Sequence, residues 1–394
     1  MADVQSIHLP VCPTIISPDL YCIIEKTRVT IRYFLVLEGN SRFATYVKRL
    51  LPYLITLGLI VIFGQLCFGI IQNFQENHRI YDIIESQQYQ IIIIHMQFAI
   101  FAFCTFYIYN RHECLPELEL VLDGFMQQTP LSTSECNIAY VRKIEYSTYK
   151  IICPVIVVIV NIITGTATGR IFHYLEYNAK IMMIILELSC ITWINLITQH
   201  GVYYYVIISL VIRLKMNAVC NQLQKFFNRL EEVNHFKFIQ EQHLKLTQMI
   251  QAADEFFSVY IFLVYCTFIP MILMGLCNII DGNSDELIWF QVMYLMIATV
   301  IVTAITLVAG FLSSSAHQAE KILFKNISAP IPMREAFQIN VFQSRMNAEK
   351  IGYTCLDLFV VSNDVILKII SGLISYLLMY LQMKHKNKIK SSNN

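Results

Sequence analysis

The chain has 394 residues, of which 56% are hydrophobic and only 14% are charged, with a mean hydropathy of +0.53 and a net charge of +1. A soluble globular surface needs about a quarter of charged residues, so this composition excludes a soluble protein and predicts an all-α membrane protein. The balanced charge gives no electrostatic basis for binding nucleic acid, and the first 20 residues lack the basic start and apolar core of a cleaved signal peptide.

Seven apolar stretches are long enough to cross a bilayer, which takes about 20 helical residues. They are residues 51–71, 90–110, 151–168, 181–212, 256–280, 287–312 and 364–383. Lys and Arg are concentrated in the N-terminal segment and in the second, fourth and sixth loops, and only the lysines of the C-terminal tail depart from this trend. Since basic loops stay in the cytoplasm, we expect a cytoplasmic N-terminus and an extracellular C-terminus.

The first two regions of this plan are a cytoplasmic segment, residues 1–50, and a membrane region of six helices, residues 51–312. Within the membrane region, residues 213–255 carry apolar positions at helical spacing with charges between them. This pattern is typical of an amphipathic helix. We therefore expect the fourth and fifth spans to continue into the cytoplasm as long helices.

The last three regions are cytoplasmic anchor helices, residues 313–363, a seventh span, residues 364–383, and a short extracellular tail, residues 384–394. The anchor region contains an amphipathic helix that is predicted around residues 335–356. The run Ser362-Asn363-Asp364 supplies short polar side chains that cap a helix N-terminus. The seventh span is therefore predicted to begin there.

The chain closes on a recognisable run, Ser375-Tyr376, five apolar residues, then Gln382-Met383. This run resembles the closing signature of the insect gustatory receptors, which is Thr-Tyr, five apolar residues and Gln-Phe. Ser375 replaces Thr and keeps the hydroxyl, and Met383 replaces Phe and keeps the apolar bulk. The residues from Gly352 onward also look like that family's approach to its seventh span. The insect odorant receptors belong to the same superfamily.

This resemblance implies a tetrameric, ligand-gated, non-selective cation channel in the plasma membrane of sensory neuron dendrites. The implied partners are a small-molecule tastant, monovalent and divalent cations, membrane lipids, and either identical subunits or other gustatory receptors. The cytoplasmic parts of the fourth to sixth spans would form a central anchor, and the second half of the seventh span would line the pore. The sugar-sensing branch carries an acidic residue after the signature Tyr, so Leu377 favours bitter plant compounds instead.

Tyr376, Met379, Gln382 and Met383 share one face of a helix at this spacing. Four copies around an axis would place a ring of Gln382 amides near the outer mouth and a ring of Met379 side chains one turn deeper. We predict that these rings are a polar ring and a hydrophobic gate. Alternatively, Gln382 lies at headgroup depth and Tyr376 packs on a neighbouring helix.

Asp364 and Lys368 are four residues apart on the same predicted helix. This spacing allows an ion pair. The pair would either line the inner vestibule or stabilise the helix at the cytoplasmic edge.

Ligand pockets are mostly apolar and aromatic, with a few polar groups. The predicted outer half of the membrane region contains eight such candidates: His95, Asn161, Thr164, Glu187, Trp193, Trp289, Gln291 and Tyr294. Glu187 stands out because an unpaired carboxylate inside a span is costly. The simpler interpretations are that Trp289 and Tyr294 are interfacial aromatics and that His95 bonds a neighbouring helix.

Enzyme motifs do not occur in the sequence. The motif HExxH, paired cysteines at zinc spacing, a phosphate-binding Gly loop and Gly-x-Ser-x-Gly do not occur, so we expect no catalytic residue, metal ligand or cofactor. An odorant-receptor relative stays open. So does a seven-span G-protein-coupled receptor, which would have an extracellular N-terminus and a glycosylated Asn326. A transporter built from repeated halves is disfavoured because the chain shows no internal repeat.

Overall fold

The computed structural model describes residues 87–111, 177–229, 233–281, 285–326, 333–348 and 351–392, together with Gly64, Leu118, Val155 and Val158. The predicted N-terminal segment 1–50 and the predicted spans 51–71 and 151–168 therefore lie outside the described residues, apart from these isolated positions.

Six helices occur within the described ranges. They are α1 (Gln87–Arg111), α2 (Tyr177–Arg229), α3 (Val233–Asp281), α4 (Asp285–Asn326), α5 (Met333–Ala348) and α6 (Asn363–Ser392). The β structure of these ranges is a single isolated bridge between Thr354 and Val360. The all-helical fold class is confirmed.

Four of these helices, α2, α3, α4 and α6, contain segments that are long and apolar enough to cross a membrane. A shorter apolar segment, Met96–Tyr109, lies in α1. The helices α2, α3 and α4 contain 53, 49 and 42 residues, whereas a bilayer takes about 20. Each of them is therefore much longer than a membrane span needs to be, and within the predicted helical region 213–255 α2 continues to Arg229 and α3 starts at Val233.

The core lies between α2, α3 and α4, and α1 packs against α2 and α3. Lipid tails are as apolar as Leu, so helices in a membrane associate through close packing and hydrogen bonds rather than through the hydrophobic effect. Both occur here. The hydroxyls of Tyr265 and Thr306 are 2.9 Å apart between α3 and α4, and the Tyr205 hydroxyl donates to the carbonyl of Ile305 at 3.3 Å. These bonds join α2 and α3 to α4.

Candidate functional site

The last helix begins where the sequence predicts. The N–H of Val365 donates to the carbonyl of Ser362 at 3.0 Å, and Asp364 lies in the first turn of α6. A carboxylate in the first turn complements the positive end of the helix dipole. The short polar run 362–364 therefore starts α6.

The segment before α6, residues 351–362, is a folded turn that we call the entry turn. The N–H of Cys355 donates to the carbonyl of Phe359 at 3.0 Å, and the N–H of Val361 donates to the carbonyl of Tyr353 at 2.8 Å. Leu356 and Asp357 have left-handed backbones with φ of 48° and 57°. Left-handed residues do not propagate a right-handed helix. The predicted helix over 335–356 is therefore wrong over residues 351–356, which belong to the entry turn, and α5 ends at Ala348.

Asp254 on α3 holds the entry turn. Its carboxylate accepts one hydrogen bond from the N–H of Thr354 at 2.6 Å and another from the Thr354 hydroxyl at 2.9 Å. Burial raises the pKa of Asp254 above its ordinary value, against the lowering effect of these two donors. The charged carboxylate is thus partly desolvated, and the two bonds of Thr354 compensate for the lost water.

Tyr353 anchors the other side of the entry turn to α2. Its ring is fully buried, and its hydroxyl is 3.0 Å from the oxygen of Ser209. Ser209 Oγ is also 2.6 Å from the carbonyl of Tyr205. A serine hydroxyl has a single proton to donate, so Ser209 donates to Tyr205 while the Tyr353 hydroxyl donates to Ser209. Burial raises the pKa of Tyr353, which keeps this donor protonated.

The start of α6 also approaches the backbone of α4 closely. A Cβ added to Gly310 would overlap Oδ1 of Asn363 and lie 2.9 Å from the Asn363 nitrogen. Only glycine leaves room for this approach. The beginning of α6 is therefore held by α2 and α3 through the entry turn, and by α4 through Gly310.

Beyond its first turn, α6 has two contrasting faces. One face is partly buried, and Ile369 and Leu373 pack there against the core of the chain. The opposite face carries a polar stripe, which we define by six exposed residues whose spacing follows the helical repeat. They are Asp364, Lys368, Ser371, Ser375, Gln382 and Lys386. At 3.6 residues per turn, these positions form one row, which is interrupted only where Leu378 and Met379 occur.

The predicted pore residues lie differently with respect to this stripe. Gln382 belongs to it, and Met379 lies at its apolar interruption. Tyr376 and Met383 lie nearer to the packed face, although both are exposed, at 42% and 50%. Sequence reasoning missed Ser371, Ser375 and Lys386, and their four- and three-residue spacing is the signal that could have found them.

The predicted ligand residues are only partly described. Asn161 and Thr164 lie outside the described residues, and the side chains of His95, Glu187, Trp193 and Trp289 do too. Gln291 and Tyr294 are both buried, at 2% and 3% exposure. The Tyr294 ring packs edge to face on Phe98 of α1, with centroids 5.2 Å apart. Tyr294 is thus packed among helices rather than at an exposed interface.

Tyr294 is also the first ring of a continuous aromatic row that ends in the entry turn. Successive ring centroids in this row are 4.9 to 6.3 Å apart, a range typical of interacting aromatic pairs. In order, the rings are Tyr294, Phe98, Phe268, Phe101, Tyr260, Tyr205 and Tyr353. The row joins the predicted ligand region to the start of α6 through direct packing. No sequence motif predicts this row.

The site therefore consists of a nearly uncovered apolar helix with a polar stripe, an anchored entry turn and an aromatic row that leads to it. Among the residues that the structure describes, no group of three or more His, Cys, Asp or Glu side chains could hold a metal ion.

The sequence profile of the 7tm chemosensory receptor family matches residues 37–387. The chain belongs to this family. The receptor's fold is similar to solved structures of the insect olfactory receptor OR5 from Machilis hrabei. One, in complex with eugenol, matches at TM-score 0.68 and 11% identity over 92% of this chain and 97% of the other. The other matches at TM-score 0.69 and 13% identity over 92% and 98%.

No curated protein sequence matches the receptor closely enough to add to these comparisons. The resemblance to the insect chemoreceptor superfamily is confirmed, and the receptor is a multi-pass membrane protein of a receptor family rather than of an enzyme family.

Proposed function

We propose that this receptor is a subunit of a ligand-gated, non-selective cation channel in which copies of α6 surround the pore. The observation that carries the proposal is that the rest of the chain buries very little of α6. Only 6% of its most apolar 18-residue segment is buried, against 67% of the corresponding segment of α2. A polar stripe exposed to lipid would be costly, and such residues face protein or water instead. Several copies of α6 around an axis give the stripe a water-filled path.

The proposed channel has seven spans, a cytoplasmic N-terminus and an extracellular C-terminus, as the distribution of Lys and Arg indicates. Residues 1–50 and 313–363 are then cytoplasmic, and the first turn of α6 lies at the inner mouth. Asp364 and Lys368 line the inner vestibule, and Gln382 lies near the outer mouth, beyond which the residues from 384 continue α6 on the extracellular side. The receptor acts in the plasma membrane of sensory dendrites as a homotetramer or with other gustatory receptors.

Leu378 and Met379 form the proposed gate. Both are exposed, at 54% and 49%, and they interrupt a stripe that is otherwise hydroxyl, amide or charged. An apolar constriction between polar segments closes a channel by dewetting. The amide ring of Gln382 has no net charge, which supports weak selectivity among cations.

The proposed ligand is a small bitter plant compound that binds in the outer half of the membrane region. The buried Gln291 and the aromatic row beginning at Tyr294 supply one polar group among apolar and aromatic walls, as small-molecule pockets require. The eugenol bound to the olfactory receptor OR5 supports a small aromatic ligand. Because the row ends at Tyr353, a shift of Tyr294 on ligand binding would reach the entry turn.

The test is electrical recording from cells that express the receptor alone. We expect bitter plant compounds to evoke cation currents that persist in excised patches without nucleotides. Met379→Ser should raise the basal current, and Leu381→Ser, which lies on neither the stripe nor the packed face, should not. A response that needs G proteins and disappears in excised patches would exclude the channel.

The odorant branch is the second candidate, because the two solved structures named above are of an olfactory receptor. The odorant and gustatory branches are distinguished by recording currents with volatile compounds in the gas phase and with non-volatile bitter compounds in solution. Currents evoked only by the volatile set would favour the odorant branch.

A further inference from the structure

A polar groove lies between α2 and α4, at the cytoplasmic end of the membrane region. Its volume is about 450 Å³. The spans predicted from sequence end at residues 212 and 312, and the groove begins at Arg213 on α2 and Phe311 on α4. In the proposed orientation, the groove therefore lies at the depth of the cytoplasmic lipid headgroups.

The lining of this groove combines one cation with neutral hydrogen-bonding side chains. Amides and hydroxyls dominate, and among the residues that the structure describes no carboxylate lines the groove. The side chains on which the inference depends are Arg213, Asn217, Asn221, Phe311, Ser314 and Gln318. A charged guanidinium among neutral donors, without a competing acid, is a lining suited to an anion.

Arg213 is held in place but not neutralised. Its guanidinium carbon lies 4.6 Å from the centre of the Phe311 ring, a stacking arrangement that Arg favours. Its Nε is inaccessible to water and has no hydrogen-bond partner, and no carboxylate of the described residues forms an ion pair with it. Glu320, further along α4, lies 3.6 Å from the ring nitrogen of His317 instead. Arg213 thus remains available to an anionic ligand.

We propose that this groove binds the phosphate-bearing headgroup of an anionic phospholipid in the cytoplasmic leaflet. The planar guanidinium matches two phosphate oxygens at once, and Ser314, Asn217 and Gln318 offer donors for the remaining oxygens. The cytoplasmic leaflet carries the anionic lipids that attract such a site.

The size of the groove favours a lipid headgroup over a free anion. A volume of about 450 Å³ falls within the range of small-molecule sites, roughly 300 to 1,000 Å³. A single phosphate ion would occupy only a small part of it. A headgroup with a sugar ring fills it and keeps its acyl chains beside the exposed apolar surface of α4, where Phe311 is 38% exposed.

The test measures binding of three probes to the purified full-length receptor in neutral nanodiscs. The probes are a short-chain phosphatidylinositol 4-phosphate, a short-chain phosphatidylcholine and inorganic phosphate. We expect the first to bind at least tenfold more tightly than the others. Arg213→Gln should weaken it by roughly tenfold, as expected for a charge-assisted bond. Lys225→Gln, which removes an exposed cation of α2 outside the groove, should leave it unchanged.

Two further variants test the proposal even if Arg213→Gln fails to fold. Arg213→Lys keeps the charge but loses the paired bonds and should give an intermediate affinity. The double variant Ser314→Ala with Gln318→Ala should weaken binding severalfold in a receptor whose gel-filtration profile is unchanged.

Equal affinities of Arg213→Gln and Lys225→Gln would overturn the proposal. So would a double variant that binds like the wild type, or a wild-type receptor that binds none of the probes or binds inorganic phosphate as tightly as the lipid. Because the assay measures no current and needs no tastant, its failure would leave the channel proposal standing.

Discussion

α2 and α6 are both apolar enough to cross a membrane, but the chain covers them very differently. In α2, 67% of the most apolar window is buried by other helices, whereas in α6 the share is 6%. α2 is thus a core element of a single subunit, with rings and hydroxyls that contact α1, α3 and α4. α6 is fixed mainly at its beginning, and most of its surface is left for other molecules. A helix held at one end can move against its partners without disturbing the core.

A single substitution at Asp254 breaks one attachment of α6. Among the variants considered, we expect it to have the largest effect on stability and current. Asp254→Ala leaves the N–H of Thr354 without its acceptor and the Thr354 hydroxyl with only the weaker contact to Asp357 at 3.4 Å. Two bonds to a charged group and the desolvation of the donor are worth about 3 kcal/mol of unfolding free energy. The expected result is a clear loss of thermal stability in detergent and loss of ligand-evoked current.

The matched control is Glu255→Ala, which removes an exposed carboxylate from the next position of α3. It should change the melting temperature little. Equal losses in the two variants would show that the entry turn does not depend on Asp254.

Gly310 tests the second attachment of α6. A Cβ at this position overlaps Asn363, so Gly310→Ala should cost about 2 kcal/mol through overpacking. Gly275→Ala is the control, because its Cβ would meet only Leu295 at an ordinary 3.6 Å. Replacing a helical glycine normally stabilises a protein slightly. Opposite signs for the two variants, measured as melting temperatures, are therefore expected, and a stabilising Gly310→Ala would contradict the close approach.

Acid tests the N-terminal part of α3. Burial beside Phe342 lowers the pKa of His243 from 6.5 to about 4, so the folded state favours the neutral ring. A lowered histidine pKa means that stability is complete above about pH 6.5 and is lost as the pH falls toward 4. Between pH 7.5 and 5.5 the unfolding free energy should fall by about 1 kcal/mol from this group.

This acid-induced loss should shrink in His243→Gln and persist in His317→Gln, which changes a histidine that is 44% exposed. Melting curves of both variants at the two pH values provide the measurement. A His243→Gln receptor with the full acid-induced loss would assign the effect to other groups.

The sequence predicts the long helices and the start of α6 because these depend on local information. Apolar runs of sufficient length and the polar run at Ser362 are visible without a partner. The entry turn depends on Leu356 and Asp357 in left-handed conformations. Aspartate adopts this backbone more readily than most residues, but a leucine does not signal it. Asp254 and Thr354 are 100 positions apart, so their contact exists only after the helices have packed.

The candidate site, too, is predictable where it depends on local sequence and not where it depends on contacts between distant residues. The closing signature points to α6, and the helical repeat could have identified the stripe, including Ser371 and Ser375. The aromatic row could not be read from sequence, because its rings come from four different helices and the entry turn. Aromatic residues are common throughout the chain, and nothing in their spacing shows which of them meet.

The smallest effect is expected at the C-terminal end of the stripe and separates the two faces of α6 most sharply. Gln382→Leu extends the apolar interruption and removes the amide, so the single-channel conductance should fall by about half while the melting temperature of the subunit stays constant. Tyr376→Phe removes a hydroxyl nearer to the packed face and should leave the conductance unchanged. If Tyr376→Phe altered conductance and Gln382→Leu did not, the pore would lie along the face that includes Tyr376 and Met383, and the polar stripe would face neighbouring subunits instead.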